Sequence, residues 1–189
     1  QLMERLRPGG VLLLSRNIES AAQLKSLIQE LQAASLRYSS VPLFIAVDQE
    51  GGLISRVAFA KEKTSQSDIQ TAEQAYRIGK ERGEELGALG INLNLSPVLD
   101  QAHPLDFIFE RTFQAERSQE GLLAKSLLTG QKHARVLSAL KHFPGYGTIP
   151  FDPETKLAVV ENLPDISAFQ TALAAQPEFL LLSNAIYTQ

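Results

Sequence analysis

Five short apolar runs punctuate the chain: Gly10–Ser15, Val41–Asp48, Ile91–Val98, Val136–His142 and Glu178–Ser183. Each has strand length. Three are continuous apolar runs, the pattern of strands buried on both faces. Ile91–Val98 alternates instead, with Leu93 and Leu95 opposite Asn92, Asn94 and Ser96. Amphipathic helical patterns lie between the runs. Ser20 is placed to cap the first, which carries Leu24, Leu27, Ile28 and Leu31 at helical spacing. Asp68 is placed to cap a second, with Ile69, Ala72, Ala75, Tyr76 and Gly79 on one stripe. Gly90 ends that stripe as a C′ glycine. A third pattern runs from about Ser118 to Ala134, and Pro164-Asp165 starts a fourth with Ile166, Phe169 and Leu173. Ala58–Ser67 is polar and aperiodic and reads as a loop.

Strand and helix alternate throughout, which calls for an α/β fold with a parallel sheet and right-handed crossovers. A doubly wound sheet and a (β/α)8 barrel both fit that order. No G-x-G-x-x-G and no G-x-x-x-x-G-K-[ST] follows the early strands, so nothing supports a dinucleotide or P-loop site. Polar clusters instead end several different strands, which suits a TIM-type barrel. A full barrel takes about 250 residues. Five strands in 189 residues are too few to close one. The expectation is one domain over residues 1–189, an incomplete (β/α)8 barrel of about five strands. The chain opens at Gln1 without an initiator Met, which points to a partial chain.

Composition narrows the partners. The chain is 44% hydrophobic and 21% charged, with a formal net charge of −3. No dense basic patch appears, so nucleic acid is not expected as a partner. The absence of Cys excludes disulfides and thiolate metal sites. No stretch approaches the roughly 20 apolar residues of a membrane span. No signal-peptide pattern opens the chain.

The candidate chemistry sits where the strands end. Those ends read Ser15-Arg16-Asn17, Asp48-Gln49-Glu50-Gly51-Gly52, Ser96-Pro97-Val98-Leu99-Asp100, Lys141-His142-Phe143-Pro144-Gly145 and Ser183-Asn184-Ala185. A carboxylate at Asp48 can accept from two vicinal sugar hydroxyls, or it can cap the turn at Gly51-Gly52. Lys141-His142 is sharper, because Lys is rarely buried without a partner. Consecutive strand residues face opposite sides, so both reach one cleft only if the strand bends near Pro144-Gly145. The plainer alternative is a surface Lys beside a hydrogen-bonded structural His. A strand-end Lys also admits Schiff-base lyase chemistry at Lys141. His103 and His133 lie apart from other ligand types, so no metal site is expected. Phe107, Phe109 and Phe113 are expected to pack the loop after the third strand, unless one stacks on a sugar face.

Taken in order, Asp48-Gln49-Glu50-Gly51-Gly52 with Arg56, Ser96 to Asp100, Glu110-Arg111-Thr112-Phe113 and Lys141 to Gly145 resemble the successive motifs of family 3 glycoside hydrolases. The branch most similar is the NagZ-type β-N-acetylhexosaminidases that recycle bacterial cell-wall sugars. Gly9-Gly10-Val11, Arg16-Asn17 and Ser183-Asn184-Ala185-Ile186-Tyr187 also fit, so the likeness covers nearly the whole chain. It implies an O-glycosyl hydrolase that releases terminal N-acetylglucosamine-like sugars with retention, and needs no cofactor or metal. It implies that Asp48, Arg56, Arg111, Lys141 and His142 hold the sugar in the cleavage subsite. Arg and Lys donate to hydroxyl oxygens and Asp accepts in pairs, so the residue types suit that role. Relatives of this type occur in the cytoplasm and as exported or lipid-anchored proteins, with the cytoplasm slightly favoured.

The sequence departs from that branch at three points. The branch carries a loop with Gly-His-Gly and then Asp-Ser-His, whose His donates the proton. Here the loop reads Gly145-Tyr146-Gly147 and then Asp152-Pro153-Glu154. Either Glu154, backed by Asp152, serves as the acid, as carboxyl groups with raised pKa do in other glycosidases, or the loop has lost that role and the barrel only binds sugar. Leu53 stands where the branch has a second Arg. The family nucleophile, an Asp on a later strand, is expected beyond the fifth strand, which would leave this chain alone catalytically incomplete.

Overall fold

The computed structural model describes residues 2–147 and 149–188. In chain order its elements are α1 (Leu2–Leu6), β1 (Gly10–Leu13), α2 (Ala21–Ser39), β2 (Phe44–Val47), β3 (Gln49–Gly51), β4 (Ile54–Ser55), α3 (Ala72–Leu89), β5 (Leu93–Asn94), α4 (Arg117–His133), β6 (Leu137–Phe143), β7 (Ala158–Val160), α5 (Ser167–Leu173), β8 (Phe179–Leu182) and β9 (Ala185–Tyr187). Five of these strands form one parallel sheet in the order β1-β2-β5-β6-β8. They are the five apolar runs, and each lies beside the next along the chain. A doubly wound sheet reverses its strand order at a switch point; this sheet does not, and forms half of a barrel. Phe44, which opens β2, and Phe179, which opens β8, meet edge to face with ring centroids 5.2 Å apart. Two strands separate them in the sheet, so the sheet must curve strongly to bring them together on its concave side.

Local chemistry sets the element ends. Ser20 Oγ accepts from Gln23 N at 3.2 Å and caps α2 as expected. For α3 the expectation fails: Thr71, not Asp68, is the cap, and its Oγ1 accepts from Gln74 N at 3.1 Å. Asp68 instead closes a short 3₁₀ turn, Gln66–Asp68. That turn carries the Gln66 amide inward, where it bonds both the N–H and the carbonyl of Val98 at 2.9 Å. Gly90 adopts φ +93°, so Ile91 N turns back to Leu86 O at 3.1 Å. The β5 ladder is shorter than the alternating run Ile91–Val98, because side-chain amides take over part of the pairing. Asn92 bonds Ile45 N and Leu43 O, and Asn94 bonds both backbone groups of Gln49. Asn94 is fully buried and also donates to Gln131 of α4 at 2.6 Å. The Ser96–Pro97, Lys141–His142 and Phe143–Pro144 peptides are cis.

Helices α2 to α5 cover the convex face. One core cluster joins Ile69, Ile78, Leu127, Leu140 and Phe169, and another joins Leu24, Ile45, Val47 and Leu86. A third, smaller cluster of Val98, Ile108, Tyr146, Ile149, Ala158 and Val160 sits under the loops at the carboxyl rim. Helices α3 and α4 touch backbone to backbone through Gly79 and Gly130. A Cβ on Gly79 would lie 2.2 Å from Leu127 O, and one on Gly130 2.2 Å from Tyr76 O. Among the described residues no helix is long and apolar enough to cross a membrane.

This contact yields a paired prediction. Gly79→Ala drives backbone into backbone and lowers stability by about 2–3 kcal/mol. Gly87→Ala, on the same helix, meets nothing closer than 3.8 Å and raises stability by about 0.5–1 kcal/mol. Urea denaturation midpoints of the two variants should move in opposite directions.

Candidate active site

A cleft of about 360 Å³ opens at the carboxyl ends of the strands. Asp48, Arg56, Arg111, Lys141, His142, Asp152 and Glu154 all line it. Lys141 and His142 reach it together: the register of β6 against β8 shifts between Lys141 and Phe143. The Lys141 side chain is only 3% exposed, so it is no surface lysine. Its Nζ lies 2.6 Å from Asp48 Oδ1 and 2.6 Å from Glu50 Oε1. Glu50 also accepts from Arg111, from Nε at 2.9 Å and from Nη2 at 2.8 Å. That two-point fork is the strong geometry for guanidinium and carboxylate. Asp48, Lys141, Glu50 and Arg111 thus form one alternating chain of two anions and two cations.

Position along this chain separates the members. Glu50 is sealed, with 2% of its side chain exposed, whereas Asp48 and Arg111 keep 17% and 21%. Burial alone pushes the Glu50 carboxyl up. Lys141 and the Arg111 fork outweigh it together and hold the group below the usual carboxylate range. For Arg111, burial is likewise outweighed by its bonds to Glu50, and its guanidinium is raised. Asp48 spends one oxygen on Lys141 and has no other side-chain partner among the described residues. Arg56 Nε is buried without a partner among the described residues. Both side chains therefore bring spare bonding capacity to the cleft wall.

A second unit adjoins the first. His142 Nδ1 lies 2.8 Å from Asp100 Oδ2, and the same oxygen accepts from His142 N at 3.1 Å. Asp100 is fully buried. The loop beyond β6 starts at Tyr146, whose ring centroid lies 5.0 Å from that of His142. Further on, Asp152 Oδ1 accepts from Glu154 N at 2.9 Å, and Asp152 O accepts from Thr155 N and Oγ1. Asp152 thereby closes a tight turn that puts the exposed Glu154 on the cleft wall.

Other sequence candidates fall elsewhere. Arg16 is exposed in a 3₁₀ turn, and Asn17 Oδ1 caps Leu14 N at 3.0 Å. His133 Nδ1 pairs with Tyr76 OH at 2.9 Å on the helical face. Of the three loop phenylalanines, Phe113 is buried in the core and Phe107 lines the cleft. Leu53 is 69% exposed. Glu50, Asp100 and Asn184 carry no individual role in the sequence, and Tyr146 stands out there only as a departure from the family loop; in the structure Glu50, Tyr146 and Asn184 line the cleft and Asp100 holds His142. For Glu50 the signal was available: it stands two residues after Asp48, on the same side of an extended chain. Among the described residues no group of three His, Asp or Glu side chains is arranged to hold a metal ion.

Behind the site, Arg82 of α3 is wholly buried and donates to Glu50 O at 2.6 Å, Thr64 O at 2.9 Å and Glu62 Oε1 at 3.0 Å. It clamps β3, which directly follows Asp48 and carries Glu50, to the loop through Glu62 and Thr64. Gly51 next to it takes φ +93°, and a Cβ there would lie 1.9 Å from Thr64 O.

A model of the glycosyl hydrolase family 3 N-terminal domain matches residues 1–189. The chain is 32% identical to β-hexosaminidase A of Pseudoalteromonas piscicida, over 98% of this chain and 34% of that protein. It superposes on a family 3 β-N-acetylglucosaminidase from Paenibacillus sp. str. FPU-7 with a TM-score of 0.90 and 27% identity, covering 98% and 38% of the two chains. It superposes on NagZ from Neisseria gonorrhoeae, solved with N-trifluoroacetyl-D-glucosamine, with a TM-score of 0.82 and 26% identity, covering 98% and 59%. The chain thus spans about a third to three fifths of the length of these relatives.

The buried junction predicts an acid response. The folded Glu50 carboxyl lies below its unfolded value of about 4.3. Its contribution to stability is therefore fully present above that pH and is lost as pH falls through the lower, folded value. Glu50→Gln leaves Lys141 and Arg111 half-paired and costs about 3–5 kcal/mol at neutral pH. It also flattens the acid limb. Thermal melts of both proteins between pH 3 and pH 7 should show the gap narrowing toward the acid end.

Proposed function

This chain belongs to the N-terminal domain family of glycosyl hydrolase family 3, and on that premise we propose that its cleft holds the terminal amino sugar of a β-N-acetylhexosaminide for retaining hydrolysis. The observation that carries the reading is the shared cleft: Asp48, Arg56, Arg111, Lys141 and His142 surround one space with Glu154 on its wall. In this reading residues 1–189 act as one partial (β/α) barrel catalytic domain. Asp48 accepts from sugar hydroxyls, Arg56 and Arg111 donate to them, and Lys141 and His142 complete the grip. Glu154 protonates the departing oxygen, with Asp152 fixing its turn. A carboxyl acid needs a partner carboxylate about 5 Å away across the sugar for retention. The family resemblance assigns that partner to a strand after β8. The printed names of the relatives, β-hexosaminidase and β-N-acetylglucosaminidase, favour an N-acetylated amino sugar as the substrate.

Lyase chemistry at Lys141 is disfavoured by geometry. Its ammonium is within 2.6 Å of two carboxylates, so two of its three hydrogens are engaged, one is left for a sugar oxygen, and no lone pair is offered to a carbonyl.

Two measurements on the full-length polypeptide test the reading. Asp48→Ala removes two charge-assisted hydrogen bonds of about 1.5–3 kcal/mol each, so kcat/KM for a chromogenic β-N-acetylglucosaminide falls roughly 100- to 10,000-fold. Binding of the sugar by wild type without turnover would instead make this a non-catalytic sugar-binding barrel. Glu154→Gln removes the proton donor, worth roughly 10²–10⁴. The loss should be large for an alkyl or sugar leaving group and small for a nitrophenolate, which departs unprotonated. Equal losses for both leaving groups would remove Glu154 from the acid role.

A further inference from the structure

We propose that Asp100 is a positioning residue that couples the sugar-holding His142 to the loop carrying Glu154. What the coupling does rests on the glycosidase reading above; that it exists rests on geometry. Asp100 is fully buried at the end of the third apolar run. Among the described residues no Lys or Arg nitrogen lies within ion-pair distance of it. Its carboxylate is satisfied by three donors from a five-residue stretch. Oδ2 takes His142 N and Nδ1, and Oδ1 takes Tyr146 N at 2.8 Å. One carboxylate thus grips both ends of the turn that leads from the sugar cleft into the loop.

The His142 side of this grip sets a polarity. A carboxylate can only accept, so Nδ1 carries the hydrogen and a neutral ring presents Nε2 as an acceptor. His142 then receives a hydroxyl hydrogen from the sugar, beside arginines that can only donate.

The Tyr146 side sets the root of the loop. Tyr146 is 5% exposed, and its ring packs edgewise on Phe107 at 5.6 Å. Its hydroxyl accepts from Asn184 N at 3.1 Å. One residue earlier, Gly145 O accepts from Tyr187 OH at 2.6 Å. At its far end the loop becomes β7, which pairs with β9. Glu154 lies between these anchors, so the direction in which it enters the cleft depends on the Asp100–Tyr146 bond.

An Asn at this position separates the two functions. Its single amide oxygen satisfies two donors when it faces His142, and its NH₂ then opposes Tyr146 N–H. The sugar grip survives and the loop root is released. In the full-length enzyme Asp100→Asn should lower kcat roughly 10- to 100-fold, the scale of a small misplacement of a catalytic group, with KM changed by less than about threefold. An unchanged kcat, or a rise in KM as large as the loss in kcat, overturns the proposal. Hydrogen exchange in the same variant reads the coupling without turnover: the Tyr146 amide should exchange at least about tenfold faster while the His142 amide keeps its protection. Equal protection of both amides counts against it. Should the variant fail to fold, ¹⁵N NMR of the wild-type imidazoles decides, since the chain has three histidines. A hydrogen on His142 Nδ1 supports the assignment, and a bare Nδ1 overturns it. Absence of turnover in the wild type would sink the glycosidase reading and leave the exchange and NMR results to judge Asp100.

Discussion

Glu50 is a carboxylate sealed between two cations, and the rim of this half-barrel is organised around it. It belongs to β3, Lys141 to β6 and Arg111 to the loop after β5, so the junction ties together segments 61 residues apart and more. Removing such a charge from water carries a penalty that attraction offsets only when the geometry is good and the remaining lone pairs are used. Both conditions hold: the Arg111 fork occupies both Glu50 oxygens and Lys141 adds a third bond to Oε1. Arg82 fixes the same residue from behind through its carbonyl. The cleft-facing members, Asp48 and Arg111, are consequently held in place by the protein itself. A binding site gains most when its polar groups need no reorganisation at the moment of use.

Electroneutrality of this chain of charges also divides its labour. Glu50 is sealed and takes three bonds from Arg111 and Lys141, while Asp48, at the open end, has one committed oxygen and one uncommitted. Lys141 serves both. Its role is better described as holding Asp48 in place than as a free donor, and this is why a lysine can sit at 3% exposure on a barrel rim. His142 belongs to a separate unit with Asp100, and the two units share the bend in β6 that turns consecutive residues toward one cleft.

The sheet was legible because each of its strands is written as a short apolar run, although burial along the run holds for β2 and β6 and not for β1 and β8, which are largely exposed. Helix boundaries were legible wherever one capping residue stood alone, as at Ser20. They failed at α3, where Asp68 and Thr71 are both capping types and a tertiary contact, Gln66 to Val98, made the choice. Arg82 was hidden differently. It falls on the Ile78, Gly79, Leu86 stripe of α3, so its burial was written in the spacing. Its partners Glu62 and Thr64 lie in a loop without periodicity, and nothing local pairs them with it. Asp100 ends the Ser96–Asp100 motif, but its partner is 42 residues away. Residues of sugar-binding type and the acids Glu50 and Asp100 all stand in the strand-end motifs; what the sequence does not show is which acid holds which residue, because a holding role is defined by a distant partner.

The altered loop is more coherent as a set than as separate substitutions. Tyr146 is buried against Phe107 and bonded to Asn184 N. Burial pushes its phenol above the ordinary value, so at neutral pH it stays protonated and serves as an anchor, not as a base. Pro153 is buried within the Asp152 turn and fixes φ there. The described part of the loop is bonded at its root through Tyr146 N, turned at Asp152 and paired through β7. Under the proposed function its donor has to stand at the cleft already, as Glu154 does. Under that same proposal Asp100, which holds Tyr146 N at the root of the loop, stands at the base of proton donation.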